Sequence, residues 1–494
     1  MTKLASIKNF FYFLSVVLIG YIFFLVSSSS FDRLNYIYLH IDERQLIDDI
    51  YNVYFFNDEF GRFDNLQEGF LKKTLIFFTE ILLGGNLDYG RIWNNIFVLF
   101  CAPFFSVNNT LPILIERFVV IILFSITFIF ISIKFIEKKN RIFFVIFCFS
   151  FPSIFYILNP PKPDILMILA IFIATNFIFF KDDLNKGFIF FGIAIGVKIT
   201  ALIPAFATGI LLIYPFARIN TFRKFLLANF YTLLGTIIAQ PAILLPVPGL
   251  QKRIINSVLA ASKYDQSNIA SQNIYSLDNW INTLAKFYNL NSWLIIVFFV
   301  ISFAIILKNS ITKIFTVNEY FLVISMLYLL IFFLFIDRNW LYYLILPFIY
   351  LNLYIFRSFK EEKIFLDKFF IFIFFILVFS GIHTNLLNIQ NRNFVINNYW
   401  ENNLLEALEY IDTSYIDMNN KNYLVLWDPE YYFPKNKITY LGDYEVIENW
   451  QQTEELQPLF ENADFIVTTR KFNTDNYFNV KIKIIGDLYI YSLN

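Results

Sequence analysis

Long apolar runs dominate the chain, parted by short polar and basic turns. A nearly charge-free run approaching 20 residues reads as a transmembrane helix. The pattern predicts eleven spans. The first runs from Phe10 to Val26, and the others lie near Leu111–Ile133, Ile142–Leu158, Ile165–Phe180, Phe188–Thr200, Ala201–Phe216, Phe225–Leu245, Ser292–Leu307, Tyr320–Ile336, Trp340–Phe356 and Phe369–Leu387. The first run, behind Lys3 and Lys8 and followed by Ser27–Ser30, also has the form of a cleaved signal peptide, but the spans after it favour an uncleaved anchor. Lys198 and Pro204 interrupt the fifth and sixth spans, and such breaks are tolerated where they line a cavity.

Between the first two spans, residues 27–110 form a long, charge-rich section. Two runs within it, Leu71–Leu83 (closed by Gly84-Gly85) and Arg91–Phe105, are short for spans and predict helices lying in the interface, with a transmembrane hairpin as the alternative. Ahead of them, Leu46, Ile47, Ile50, Tyr51 and Tyr54 recur at helical spacing behind the adjacent carboxylates Asp42 and Glu43. Asp42 can cap this short helix, with Gln45 completing a capping box.

After residue 387 the apolar runs shorten. Trp400–Ile411 and Thr453–Asn462 read as amphipathic helices, and Tyr423–Trp427, Phe465–Thr469, Val480–Ile485 and Leu488–Ser492 as strands. The expected architecture is therefore a polytopic α-helical membrane domain over residues 1–387, with 27–110 as its first extracytoplasmic loop, and a small α/β domain over 388–494.

Charge gives the orientation. Lys134, Lys138, Lys139, Arg141, Lys181, Lys186, Arg218, Arg223, Lys224, Lys308, Lys313, Arg357, Lys360 and Lys363 all fall in turns that alternate onto the side of Lys3 and Lys8. The positive-inside rule puts that side, and the N-terminus, in the cytoplasm, as in a bacterial plasma membrane. The Asp42–Glu43 segment, residues 159–164, 246–291 and 337–339, and everything after 387 then face outward.

Composition supports a membrane protein: the chain is 57% hydrophobic and 16% charged, with a mean hydropathy of +0.57, against about 25% charged for a soluble domain. A net charge of +0 gives no support for nucleic-acid binding. Cys101 and Cys148 sit in apolar runs as small hydrophobes. His40 and His383 are the only histidines, which excludes a histidine-rich metal site; no cofactor is assigned, and a divalent metal beside Asp42 and Glu43 stays open.

The outer side gathers polar residues. Asn159-Pro160-Pro161-Lys162-Pro163-Asp164 joins two spans, and Asp164 heads an apolar run as a helix cap or a site carboxylate. Lys198 lies at a depth where a lysine must be paired, hydrated or snorkelling. Asp337-Arg338-Asn339-Trp340-Leu341-Tyr342-Tyr343 sits at an outer junction, where an aromatic belt explains the aromatics but not Arg338. Carboxylates and cations on one face suit transfer from an anionic, lipid-borne leaving group: a carboxylate takes a proton from an acceptor hydroxyl, while cations hold the phosphate.

These motifs resemble the GT-C superfamily of integral-membrane glycosyltransferases. Asp-Glu just after the first span, followed by interfacial helices, is similar to the layout of protein O-mannosyltransferases and the lipid A aminoarabinose transferase. His40-Ile41-Asp42-Glu43 resembles the His-Pro-Asp-Glu of the GPI-anchor mannosyltransferases, with Ile41 in place of proline. Pro163-Asp164, Gly196-Val197-Lys198, and Arg338 with Tyr342-Tyr343 and Leu346-Pro347 extend the resemblance. It implies inverting transfer of a sugar from a polyprenyl-phosphate donor to a lipid, glycan or protein acceptor. Asp42 would be the base, with Glu43 beside it and Asp164 as a second cavity carboxylate. Lys198, Arg338, Arg91, Lys162 and Tyr342 would bind substrate. The alternative from another class is a transporter or flippase of a lipid-linked saccharide, for which no internal repeat is found.

The orientation is testable by single-cysteine labelling of intact cells. Cysteines at Asp49 and Gln451 should react with an impermeant maleimide and one at Lys139 should not; reaction at Lys139 would invert the topology.

Overall fold

The computed structural model describes residues 36–40, 69–83, 90–106, 111–149, 162–244, 315–335 and 344–358, the strands of a C-terminal sheet, and isolated positions between them. It divides into two compact units. One comprises Met1–Phe24 and Gln45–Asn385, and the other Leu25–Arg44 and Leu386–Asn494.

The first unit is helical. Its helices are α1 (Phe70–Leu83), α2 (Arg91–Cys101), α3 (Leu111–Phe135), α4 (Arg141–Phe149), α5 (Asp164–Phe180), α6 (Leu184–Val197), α7 (Leu202–Ile213), α8 (Phe222–Ala239), α9 (Val317–Phe335) and α10 (Ile345–Ser358). They occur where the apolar runs predict helices. The count of eleven spans also relies on Phe10–Val26, Ser292–Leu307 and Phe369–Leu387, which lie outside the described residues or nearly so. Within α3, Ile115–Phe135 is long and apolar enough to cross a membrane, while α5, α6, α7 and parts of α9 and α10 are shorter apolar helices.

Outward surfaces carry the membrane signal. On α3, Phe118, Ile122, Ile126, Ile129 and Ile133 are exposed at helical spacing, and on α7 so are Leu202, Phe206, Ile210 and Ile213. Water would penalise apolar stripes of this extent, whereas lipid does not. The unit is therefore a helical body associated with a membrane.

Glycine sets the tightest contact in the unit. A Cβ on Gly192 of α6 would fall on the Thr232 carbonyl of α8, and one on Gly235 of α8 would fall on the Ile189 carbonyl of α6. One turn on, a Cβ on Gly196 would lie 2.7 Å from the Ala239 Cβ and 2.8 Å from the Thr236 carbonyl oxygen. Thr236 Oγ1 donates to the Gly192 carbonyl at 3.2 Å across the same seam. Gly192-xxx-Gly196 facing Gly235-xxx-Ala239 is a small-xxx-small pairing, in which backbones approach closely enough for dispersion and polar contacts to hold helices without a hydrophobic drive.

An aromatic cluster closes the far end. Phe135 meets Phe172, Phe180 and Phe321 edge-on, with centroids 5.3–5.8 Å apart. Tyr320 and Thr208 share a hydrogen bond of 2.9 Å that ties α7 to α9. Ser325 Oγ donates to the Pro347 carbonyl at 2.7 Å, tying α9 to the first turn of α10.

In the second unit, β2 (Leu424–Trp427) pairs in parallel with both β4 (Tyr444–Val446) and β5 (Phe465–Thr468). Antiparallel β7 (Leu488–Leu493) and β6 (Val480–Ile485) complete the order β4-β2-β5-β7-β6. A separate antiparallel pair joins β1 (Tyr36–His40) to β3 (Glu430–Pro434), with Tyr36 opposite Pro434 and His40 opposite Glu430. Sequence reading places residues 36–40 in the first loop of the membrane domain. The structure instead groups Leu25–Arg44 with the tail, because β1 takes its ladder partner there. The expected tail helices, Trp400–Ile411 and Thr453–Asn462, lie outside the described residues except at Glu406 and Tyr410, which are helical.

Gly192→Ala should destabilise the protein by about 1–3 kcal/mol through overpacking. Gly209→Ala, where an added methyl meets nothing within 4 Å, should be neutral or stabilising by up to about 1 kcal/mol. Thermal unfolding of the two variants in detergent measures the contrast.

Candidate functional site

Helix α6 stops at Val197 because the backbone turns extended at Lys198 (φ −155°, ψ 124°). A single 3₁₀ turn, Ile199–Ala201, follows, and α7 begins at Leu202. Pro204 stands in the first turn of α7, where its missing N–H removes no intrahelical bond. The sequence thus ends one helix and starts another within four residues.

Lys198 does not snorkel to solvent. Its Nζ lies 2.6 Å from Asp164 Oδ2, and both side chains are nearly buried. Asp164 is the first residue of α5, and Pro163 occupies the cap position without a side-chain bond. The Asp164 carboxylate therefore sits where the helix dipole favours an anion, with an oxygen spent on the lysine. Thr200 Oγ1 approaches Met167 Sδ at 3.4 Å, a weak second tie between the break and α5.

Two further helix ends meet this break. The Gly90 N–H donates to the Val197 carbonyl at 3.1 Å, and a Cβ on Gly90 would overlap the Gly196 carbonyl. Next along, the Arg91 N–H donates to Gln240 Oε1 at 3.1 Å. Gln240 ends α8 with φ −138° and ψ 77°. The start of α2 is thereby fixed to the ends of both α6 and α8.

The Arg91 guanidinium, expected to meet substrate, has a different occupation. Nη2 donates to the Glu80 carbonyl and Nε to the Ile81 carbonyl at 3.2 Å, while Asn95 Nδ2 reaches the same Ile81 oxygen at 3.1 Å. These carbonyls belong to the last turn of α1, where cationic donors satisfy orphan acceptors and complement the dipole. Arg91 positions α1 against α2.

The other expected residues divide in two. Lys162 is buried two positions before Asp164. Asp42, Glu43, Arg338 and Tyr342 lie outside the described residues, as does the capping geometry expected of Asp42. The structure thus brings together Asp164, Lys198 and the backbone ahead of Arg91. Sequence reading does not single out Gln240 or the adjacent buried residues Glu116 and Arg117 on α3. The signal for the pair was present, since adjacent charges at the head of a long apolar run are costly at membrane depth. Gln240 gave none, because its partner is a backbone amide.

Among the described residues no three His, Cys, Asp or Glu side chains assemble as a metal-binding group. Cys101 and Cys148 are free and buried. Comparisons with protein-family models, curated proteins and solved structures found no match.

Chemically, the arrangement offers an ammonium held at depth by a carboxylate. Lysine is a compact point charge, and a phosphate oxygen is a natural second partner for it. Removing one member takes from the other, still buried, its contact at 2.6 Å. Asp164→Leu or Lys198→Met alone should cost about 3–5 kcal/mol, whereas the double variant D164L/K198M should recover most of that loss. A double-mutant cycle by thermal unfolding measures the coupling, and additive losses would show that the pair is not coupled.

Proposed function

We propose that the protein is a membrane glycosyltransferase. It moves a sugar from a polyprenyl-phosphate donor to a lipid, glycan or protein acceptor on the extracytoplasmic side of a bacterial plasma membrane. The observation that carries this reading is the buried Asp164–Lys198 pair at a broken helix. The charge pattern assigns that end of the helices to the outer face, where Asp42 and Glu43 also belong. A cation poised at depth suits a phosphate whose prenyl tail stays in the bilayer, and the resemblance to GT-C enzymes supplies the reaction class.

In the proposed reaction, Asp42 accepts the proton of the acceptor hydroxyl as its oxygen attacks the anomeric carbon of the sugar. The bond from that carbon to the phosphate oxygen breaks, and its electron pair leaves with the polyprenyl phosphate. One displacement inverts the centre. Lys198 and Arg338 stabilise the charge that the phosphate gains. Asp164 keeps the Lys198 ammonium in place before the donor arrives. Glu43, Lys162 and Tyr342 shape the surrounding site, and Arg91 is left with its positioning task. The reading requires no metal.

Mass spectrometry of envelope glycans from cells with and without the protein should show one sugar mass disappear. Membranes carrying Asp42→Asn should lose transfer by about 10²–10⁴-fold, the range for a lost general base, while the protein stays inserted. Near-normal transfer would return Asp42 to a capping role. Translocation of a lipid-linked sugar without transfer would instead favour a flippase.

A further inference from the structure

The end of the helical unit away from Lys198 carries a second polar constellation. Asp164 and Phe180 bound α5, and 17 helical residues separate the two levels by about 25 Å. At the Phe180 level the ends of α3, α4, α9 and α10 surround a cavity of about 610 Å³. Three basic side chains line it, Lys134, Arg141 and Arg357, against one acidic side chain, Glu137. Thr316 and Asn318, at the N-terminus of α9, complete its polar wall.

The two arginines are fixed in place. Arg141 donates from Nε to the Ile136 carbonyl at 3.1 Å and from Nη2 to the Ile133 carbonyl at 2.9 Å. Arg357 donates from Nε to Asn318 Oδ1 at 2.7 Å and from Nη1 to the Phe135 carbonyl at 2.9 Å. Each guanidinium thus closes the end of α3 and keeps further N–H groups for another acceptor. Thr316, bonded through its N–H and hydroxyl to Glu319 Oε2, caps α9, and the Glu319 carboxylate in the first turn answers the positive end of that helix. Two fixed guanidinium groups and a lysine around one space make a receptor for a phosphate.

The surroundings choose the source of that phosphate. Ile133 lines the cavity and is 49% exposed. From it the outward apolar stripe of α3 continues through Ile129 and Ile126, 54% and 48% exposed. An acyl chain laid along this stripe begins at the cavity mouth.

We propose that the cavity holds the headgroup phosphate of an anionic phospholipid, with its acyl chains along α3. The site is separate from the proposed transfer site and does not rest on that assignment. Basic pockets at helix ends facing the cytoplasmic leaflet recognise such headgroups. Bound there, the lipid joins the ends of α3 and α10 to the start of α9.

Native mass spectrometry of the full-length protein, released from micelles containing equal phosphatidylglycerol and phosphatidylcholine, tests the site. The anionic lipid should be retained in preference. Lys134→Gln should lower its retention by about five-fold, and Glu137→Gln should raise it by a similar factor. Lys138→Gln, which does not line the cavity, should leave it unchanged. Equal retention of the two lipids, or wild-type retention by both cavity variants, would overturn the proposal. So would glycerol 3-phosphate binding as well as the lipid, since the ligand would then be a soluble anion.

Discussion

The backbone contact between α6 and α8 is the constraint on which the rest of the helical unit depends. Gly192 and Gly235 each face a carbonyl of the opposite helix, at a separation that admits no side chain. Within apolar surroundings, greasy side chains cannot provide this specificity, because lipid competes equally well for them. Close approach does, through shape and through the Thr236 hydroxyl that spans the seam. Once the register is set, Gly196 must lie against Ala239, and the backbone break at Lys198 follows at a fixed height.

The fixed height matters because a buried ion pair tolerates little error. An ammonium and a carboxylate taken from water recover their desolvation cost only at short range. The helix start at Asp164 and the helix end at Val197 are both held rigidly, so the 2.6 Å contact forms between two defined points. The Gly90 backbone adds a third element to the same point. Replacing such a pair by apolar residues of similar volume is often neutral or stabilising, so the two charges do not by themselves account for the stability of the fold.

Sequence pattern makes the helices legible, because a long apolar run in a chain this poor in charge has few alternatives. It also makes the break legible. Lys198 and Pro204 each mark an interruption by their own chemistry, and Asp164 marks a helix start. The pairing of Asp164 with Lys198 is less readable, since both residues are equally consistent with local roles as cap and snorkelling cation. Contacts made to backbone are the least readable of all. Arg91 reads as a phosphate ligand by residue type, yet carbonyls at the end of α1 occupy it, and a carbonyl has no letter in the sequence. For the same reason β3 and β4 are not legible in the sequence. They are three to five residues long, and what defines them is the ladder each makes, β3 with the distant β1 and β4 with β2.

Pairing of β1 with β3 has a consequence for the order in which the protein can be made. His40 and Glu430 face each other across about 390 residues of chain. At a synthesis rate of about 5–20 residues per second, the first strand waits roughly 20–80 seconds for its partner. The carboxylates Asp42 and Glu43 follow two and three positions after His40. The strand that leads into them is therefore completed only after the helical unit has been synthesised. Every product truncated before Glu430 therefore carries β1 without its ladder partner.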